Sequence, residues 1–438
     1  MKFKIGCATL ALLLWAAASF AQAPSQRVYT IDELVEMALS SNQLLRVSAA
    51  SVEVAQQRVQ VAKLQQLPTI QASLSAFYLG DVNIIEKDFS NSNSVSMPHF
   101  GNSLIVQASQ LIFKGGAVSN AIGMASLQQQ LSALGLEKNR QDVKLLVSGY
   151  YLELFRLRNQ HLIYQKNISL SEVRLKNIER MHQEGLVTLN DVLRTKLLIS
   201  NLSQAVTQLQ NGIDIVNQQL AIATGLSDGT VILPDTTLVD RKPAIESLGT
   251  YQQFAQSGSF DIRMAEKNVQ IAQKSISLSR ADRMPAVSLF AGNSLQRPIT
   301  TAMPAVDMYT NGWQVGAMLS FNLSSLYTAP RTIKLSNLQL LQAQQSMTLQ
   351  QQNTQLAVHS AYVKLLDALK LQETAAVNMK LAQENYRTME KKYLNQLALL
   401  VDMLDAANAK LDAELQQTNA EIGILFSHFK LLSAAGKL

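Results

Sequence analysis

The sequence predicts a mainly α-helical fold that carries part of a membrane β-barrel and contains an internal tandem repeat. Three observations predict this fold class. Segments near the middle of the chain return close to its end, short stretches alternate apolar and polar residues as strands do, and the tracts between them are long and almost free of proline.

The internal repeat shows as two sets of matching segments. Gly185–Leu193 returns 211 positions later as Gln396–Leu404, and Leu67–Ile70 returns 217 positions later as Met284–Val287. Self-similarity at so long a period indicates one structural unit used twice. The chain therefore divides into a signal peptide at 1–21, a first repeat at 22–226, a linker or equatorial segment at 227–243 and a second repeat at 244–438.

The predicted signal peptide has lysines at positions 2 and 4, an apolar run from Ala8 to Ala18 and a small-x-small cleavage site at Ser19-Phe20-Ala21. The only cysteine, Cys7, lies within it, which excludes disulfides and thiolate metal sites from the mature chain. Lys4 occupies a position where a lipoprotein signal has an apolar residue, so we expect no acyl anchor.

Composition argues against several functions. The net charge of +6 falls to +4 without the two signal lysines, which is too mild for a nucleic-acid partner. The five histidines have no metal-ligand spacing and no catalytic acid beside them, so we expect no metal, no cofactor and no enzyme activity. Outside the signal, no stretch approaches the ~20 apolar residues of a membrane-spanning helix.

The first repeat is predicted to run helix, strand, strand, very long helix, helix. Residues 31–67 contain no glycine and form one predicted helix, which ends before a proline. Alternation then predicts strands at 69–79 and 103–113, joined by a polar loop over 80–101. A long helix is expected from 117 to 184.

The second repeat follows the same plan, with strands at 286–295 and 313–323. A helix over 331–396 has no glycine or proline, and at ~1.5 Å per residue it would extend about 100 Å. Such a helix is typical of coiled coils. The breaks at Gly185 and Gln396 read as tips of αα-hairpins.

Four strands of membrane length require oligomerisation, because the smallest usual closed barrels have ~8 strands and lipid cannot satisfy an open sheet edge. Three copies would give a shared 12-stranded barrel, with the helices projecting from one rim. The alternative is a small soluble sheet that caps a coiled coil.

The order of these segments resembles the TolC-like outer-membrane efflux family. The resemblance covers the whole mature chain and rests on Leu67-Pro68-Thr69-Ile70, Gln110–Gly116, Gly185–Leu193 and Val401–Ala406. It implies a trimeric channel-tunnel whose barrel lies in outer-membrane lipid and continues as a long α-helical barrel in the periplasm. It also implies two partners, a periplasmic adaptor and an inner-membrane pump.

The resemblance implies a gate at the periplasmic mouth. Asp402 and Asp405 match carboxylates that ring this mouth, and a trimer would carry six of them; acidic residues also favour any helix N-terminus. Asp191 and Tyr393 match an acid–tyrosine bond that holds the mouth shut, although Asp191 could instead cap a helix. Ala398 stands where the family has an arginine, so that part of the lock is missing.

The resemblance also implies that the hairpin tips contact the adaptor, while ordinary turn chemistry would equally explain their residues. These tip residues are Gly185, Leu186, Val187, Thr188, Gln396, Leu397, Ala398 and Leu399.

The predicted function is a passive, gated outer-membrane exit duct of a tripartite efflux or secretion system. The chain has no phosphate-binding loop or cofactor motif, so transport energy would come from the pump. One alternative is a periplasmic coiled-coil adaptor or scaffolding protein, and a more distant one is a secreted enzyme on a helical scaffold.

Overall fold

A computed structural model describes residues 26–235 and 244–438, and the predicted signal peptide lies outside these ranges. The elements of the first repeat are β1 (Gln26–Tyr29), α1 (Ile31–Ser41), α2 (Gln43–Leu64), β2 (Thr69–Tyr78), β3 (Val82–Ile85), β4 (Ser92–Val95), β5 (Phe100–Phe113), α3 (Ala117–Gln183), α4 (Leu189–Thr224) and β6 (Val231–Pro234). Those of the second are α5 (Leu248–Gly258), α6 (Phe260–Ala281), β7 (Ala286–Arg297), β8 (Thr310–Ser320), α7 (Ser325–Leu394) and α8 (Leu400–Ala434). Among the described residues, no helix combines the length and apolar character needed to cross a bilayer.

The single helix predicted over 31–67 is wrong, because Asn42 divides it. Its backbone is extended (φ −62°, ψ 129°), its side-chain amide donates to the Ala223 carbonyl at 3.0 Å, and its Oδ1 accepts from the Leu44 N–H at 2.9 Å. The second repeat breaks at the equivalent Ser259. These hydrogen bonds stabilise the break, because they give partners to the Asn42 side chain and to backbone groups next to it. The spacing of apolar residues does not reveal such bonds.

Three further boundaries differ from the predictions. The polar loop over 80–101 contains the hairpin β3–β4, and the linker over 227–243 contains β6, which pairs in parallel with β1. The remainder of the linker, 236–243, lies outside the described residues. Helix α7 begins six residues before its predicted start and includes Pro330 near its N-terminus, where few backbone hydrogen bonds are lost.

The four long strands form one antiparallel sheet in the order β2-β5-β7-β8, so β5 and β7 join the two repeats. Each strand lies within three residues of its predicted bounds. The register aligns Leu74 with Leu104, Leu104 with Leu295, and Ala291 with Val315. Because side chains alternate between faces, this register collects most of the apolar positions of the four strands on one face.

Two phenylalanines on the other face lie over glycines of the adjacent strand. Phe77 pairs with Gly101, and Phe290 pairs with Gly316, where an added Cβ would lie 2.7 Å from the Phe290 ring. The missing side chain lets the ring lie flat against the neighbouring backbone, a known means of stabilising glycine within a strand.

The described residues divide into two units. One comprises residues up to Ala49, Gly135–Arg263 and Gln350–Leu438, and the other comprises Ala50–Leu134 and Met264–Leu349. The core of the first contains the fully buried Tyr151. Its hydroxyl donates to the Tyr29 carbonyl at 3.0 Å and accepts from the Asp235 N–H at 2.8 Å, which ties β1 and the end of β6 to α3.

Candidate functional site

The first hairpin tip closes with a glycine in the left-handed region. Gly185 has a φ of 75°, its N–H donates to the His182 carbonyl at 3.0 Å, and the Leu186 N–H donates to the Met181 carbonyl at 2.9 Å. This pair of bonds is the Schellman arrangement that ends helices at glycine. The turn chemistry alone therefore explains Gly185.

The second tip has the same backbone without the glycine. Gln396 has a φ of 60°, its N–H donates to the Tyr393 carbonyl at 2.9 Å, and the Leu397 N–H donates to the Lys392 carbonyl at 2.8 Å. A left-handed conformation costs a non-glycine residue roughly 1–2 kcal/mol. The surrounding structure thus enforces this tip against a local preference.

Asp191 forms a capping box at the start of α4. Its Oδ2 accepts from the Thr188 N–H at 2.9 Å and from the Thr188 hydroxyl at 2.8 Å, while its own N–H donates to the Thr188 Oγ1 at 3.3 Å. These bonds satisfy donors that every helix start leaves free. The Asp191 carboxylate is therefore already hydrogen-bonded to Thr188 at its own helix start.

The equivalent start of α8 is only half capped. Asp402 Oδ2 accepts from the Leu399 N–H at 3.1 Å, but Leu399 has no hydroxyl to complete the box. Asp405 lies one turn further along, is exposed, and has no hydrogen bond or ion pair to any described residue. The two carboxylates share one helix face because residues three apart are neighbours on it.

Tyr393 is buried among apolar side chains at the base of the tips, with 7% of its surface exposed. Its hydroxyl has no hydrogen-bond partner among the described residues. Burial raises the pKa of the Tyr393 phenol, and the Asp191 charge adds to this effect. The phenol is therefore a neutral group that lacks a partner.

The predicted hydrogen bond between Asp191 and Tyr393 is absent within the chain. Asp191 uses its carboxylate on Thr188, three residues away, and this local capping competes successfully with a contact to the other hairpin. Sequence matching identified the right neighbourhood but could not rank these two partners.

Apolar packing joins the two hairpins at this level. Ile178 of α3 and Val192 of α4 pack with Tyr393 of α7 and with Leu400 and Met403 of α8. All five side chains are buried. One cluster thus links the ends of four helices, so any movement of one tip must disturb the other.

A polar cluster one or two turns further from the tips escaped sequence reasoning. The Tyr386 hydroxyl accepts from Arg174 at 2.9 Å and donates to Glu390 at 2.5 Å, and Lys410 lies 4.9 Å from the Tyr386 ring centre. A signal was available, because Tyr386 precedes Tyr393 by seven residues and so lies on the same helix face. This cluster connects α3, α7 and α8.

Two repeats, each with a strand pair and a long helical hairpin, define a TolC-like outer-membrane channel protein. The model of the outer membrane efflux protein family matches residues 34–226 and 252–437, and the chain belongs to this family. This match confirms four predictions from the sequence. They are the family, the mainly α fold with an internal repeat, the efflux function and the outer-membrane location. The adaptor and enzyme alternatives are thereby set aside.

Individual relatives agree with this assignment. The pyoverdine export outer membrane protein OpmQ of Pseudomonas putida is 25% identical over 96% of this chain and 90% of its own. Among solved structures, the outer membrane protein VceC of Vibrio cholerae has a TM-score of 0.77 at 15% identity, covering 93% of this chain and 96% of its own. The CmeC outer membrane channel of Campylobacter jejuni has a TM-score of 0.75 at 13% identity, covering 93% and 85%.

Proposed function

We propose that three copies of this chain form a passive exit duct through the outer membrane. A periplasmic adaptor and an inner-membrane pump would deliver the cargo to its helical end and supply the energy. Because one relative is named for pyoverdine export, a pyoverdine-like compound is the first cargo to test.

The observation that carries the proposal is the exposed apolar face of the four-stranded sheet. Leu74, Trp313, Val315 and Leu319 are each more than 70% exposed. Across the sheet this face carries Ile70, Ala72, Leu74, Tyr78, Leu104, Val106, Ala108, Val287, Leu289, Ala291, Leu295, Trp313, Val315, Ala317 and Leu319. Monomeric soluble proteins rarely expose so large an apolar surface, whereas a lipid-facing barrel wall requires one.

The opposite face suits a water-filled lumen. Its polar side chains are Gln71, Ser73, Ser75, Ser103, Gln107, Ser109, Ser294, Gln296, Thr310 and Gln314, and they outnumber its large apolar ones, among them Phe77, Ile105, Phe290 and Met318. Barrels of the outer membrane alternate in this way between lipid-facing and lumen-facing side chains. Three asparagines lie on the lipid-facing side. Asn293 donates to Asn311 at 2.8 Å and Asn102 donates to the Tyr309 hydroxyl at 3.2 Å, which lowers the cost of placing these amides in lipid.

The two sheet edges support a shared barrel. Within the described ranges, β2 and β8 each pair with a strand on one side only, and each has ten or eleven residues, the length that spans a bilayer. An open edge in lipid would leave backbone groups unsatisfied, so β8 of one copy should pair with β2 of the next.

An exposed stripe on α7 supports contacts between copies in the helical part. Leu335, Leu349, Leu356, Val363 and Val377 are separated by multiples of seven residues, and each is more than 40% exposed. Apolar residues at this spacing form the seam of coiled coils. A helix of a second copy is the occupant that we propose for this stripe.

We propose that the hairpin tips form the gate. The exposed Asp402 and Asp405 would contribute six carboxylates to the mouth of a trimer and favour cations. Closure would depend mainly on the apolar cluster around Tyr393 and on contacts between copies, because Ala398 offers no charge to Asp191. The exposed side chains of the tips, Leu186, Leu397 and Leu399 among them, are candidates for the adaptor contact.

Disulfide cross-linking tests the shared barrel, since the mature chain is expected to contain no cysteine. Ser73→Cys in β2 should be combined in turn with Gly312→Cys, Gln314→Cys and Met318→Cys in β8, which share the face of Ser73 and allow for the unknown register between copies. Oxidation of outer membranes should give covalent trimers for at least one pair.

The matched control places a cysteine at Ser109 of the interior strand β5 in place of Ser73, and it should give no trimers. A monomer in the soluble periplasmic fraction, or equal cross-linking of the control, would refute the shared barrel.

A further inference from the structure

We infer that the unit containing the hairpin tips holds a binding site for neutral aromatic small molecules, in a groove between α3 and α8. The groove has a volume of about 570 Å³. Its apolar floor consists of Leu145, Leu146, Gly149, Tyr150, Ile422 and Phe426. Pockets for small molecules commonly have volumes of ~300–1,000 Å³ and mainly apolar and aromatic walls.

The floor of the groove is open to an incoming molecule. Leu146 has 43% of its surface exposed, and Leu145, Tyr150 and Phe426 are half-buried. Two aromatic rings and two leucines therefore present accessible apolar surface to one space. Burial of this surface under a ligand would supply the free energy of binding.

Two glycines deepen the groove. Gly149 lets the Phe426 ring lie close against α3, since a Cβ added to this glycine would lie 3.3 Å from the ring. At Gly423, which also lines the groove, no described atom lies within 4 Å of the place of an added Cβ. Glycine is unfavourable inside a helix, so an unfilled glycine within α8 points to a molecule that approaches the backbone closely.

The charges of the lining cancel, which favours a neutral ligand over an ion. Asp142 and Glu153 are acidic, and Arg156 and Lys430 are basic. Arg156 donates two hydrogen bonds to Glu153, at 2.8 and 2.5 Å, and Lys430 Nζ lies 4.2 Å from the centre of the Phe426 ring. Asp142 and Arg156 are about four turns apart on α3, roughly 21 Å, so the apolar floor lies between charged ends.

The groove lies on the side of α3 that faces away from the core. Val147 belongs to the core together with Tyr29 of β1 and Ile232 of β6. Leu145 and Gly149 are each two residues from Val147, which places them roughly half a turn around the helix. The layer that contains β1 and β6 therefore covers one side of α3 and leaves the groove open on the other.

The groove also lies between the inner pair of the four long helices. Two hydrogen bonds join α3 to α8 at the two ends of the groove, from the Gln141 amide to the Ser433 carbonyl and from the Gln160 amide to Asn419 Oδ1, both at 2.8 Å. At this level α4 packs against α3, and α7 packs against α8. A neighbouring copy would therefore meet α4 or α7 before it met the groove.

This position identifies the occupant as a solute of the duct. If the helices form the duct wall, which rests on the proposed function, the layer with β1 and β6 lies outside, since three copies of it would obstruct the passage from within. The groove then opens into the lumen. Neutral aromatic compounds are accordingly a class of cargo that the duct binds during passage.

The test is the rate at which a thiol in the groove reacts with two maleimides that differ in their apolar group. Gly423→Cys places the thiol in open space, in a mature chain that is expected to contain no other cysteine. The full-length protein in detergent should bind N-(1-naphthyl)maleimide before it reacts, so this rate should saturate with reagent concentration. The rate with N-ethylmaleimide should rise linearly. Naphthalene, which cannot react, should compete and slow the first reaction.

Two matched controls accompany this variant. Gln416→Cys, at an exposed position of α8 outside the groove, should react with both maleimides without saturation. Leu146→Asn, added to Gly423→Cys, removes apolar surface from the groove and should raise the half-saturating concentration roughly fivefold or more. Leu162→Asn, at an exposed leucine of α3 outside the groove, should leave that concentration unchanged.

Three results would overturn parts of this inference separately. Linear rates with both maleimides at Gly423→Cys, or saturation at Gln416→Cys as well, would overturn the site. Failure of both maleimides to react at Gly423→Cys would show that another part of the assembly covers the groove, and would overturn the proposed occupant. The trimer cross-linking described above is scored independently, so saturation without covalent trimers would uphold the site and overturn its place in a duct.

Discussion

Two tyrosines seven residues apart on α7 should respond in opposite ways to loss of their hydroxyl groups. The Tyr386 hydroxyl has two hydrogen bonds to charged partners, Arg174 and Glu390. The Tyr393 hydroxyl is buried and has no hydrogen bond to any residue that the structure describes. Removal of a hydrogen bond to a charged group typically costs about 1.5–3 kcal/mol, while an unsatisfied buried polar group itself costs about 1–3 kcal/mol. Tyr386→Phe should therefore loosen the tips, and Tyr393→Phe should leave them unchanged or tighten them.

Hydrogen–deuterium exchange over residues 385–405 measures this difference as the free energy of local opening. We expect Tyr386→Phe to lower that free energy by about 1.5 kcal/mol or more, and Tyr393→Phe to raise it by up to about 1 kcal/mol. Each variant is the control for the other, because both remove one phenolic oxygen from a buried site on the same helix. Faster exchange in Tyr393→Phe would contradict this expectation and show that the hydroxyl has a partner in the assembled protein, such as a group from a neighbouring copy.

Three other predictions concern the tips and the helical core. Leu399→Thr should complete the capping box with Asp402 and slow exchange at the start of α8 by about 1 kcal/mol, while Leu399→Val, of similar shape, should not. Replacement of Asp402 and Asp405 together by alanine should weaken cation preference and block by divalent cations in planar bilayers; unchanged reversal potentials would assign both residues to helix-end stabilisation. Burial lowers the pKa of the His428 imidazole below its ordinary 6.5, so the unfolded chain binds more protons than the folded chain and the free energy of unfolding should fall as the pH drops through and below 6.5. His428→Gln should flatten this slope, and an unchanged slope would assign it to other groups.

The features that sequence reasoning predicted well are those with a strong period. The strands were predicted from the alternation over β2 and β8, and the tips from the matching segments around Gly185 and Gln396. Both kinds of element depend on backbone rules that apply locally. The break at Asn42 was missed, since it depends on a side-chain bond to Ala223, 181 residues away.

The predictions for the gate residues divide in the same way, between a neighbourhood that was predicted and partners that were not. Sequence matching brought Asp191 and Tyr393 into one neighbourhood, and the structure has them near enough for the Asp191 charge to affect the Tyr393 pKa. It could not predict that Thr188 occupies the carboxylate, because the choice between a local and a distant partner depends on geometry. The half-capped start of α8 was visible in the sequence, as Leu399 stands where the first repeat has Thr188.

The proposed duct requires one face of the sheet to meet lipid and the other to line a water-filled lumen. Neighbouring residues of β8, Gln314 and Val315, provide the most direct test, because they point to opposite faces. Single-cysteine variants at both positions should be treated in proteoliposomes with a charged, water-soluble thiol reagent, and the modified fraction followed by mass spectrometry. We expect rapid modification of Gln314→Cys and slow modification of Val315→Cys; equal rates, or the reverse order, would refute this assignment of the two faces.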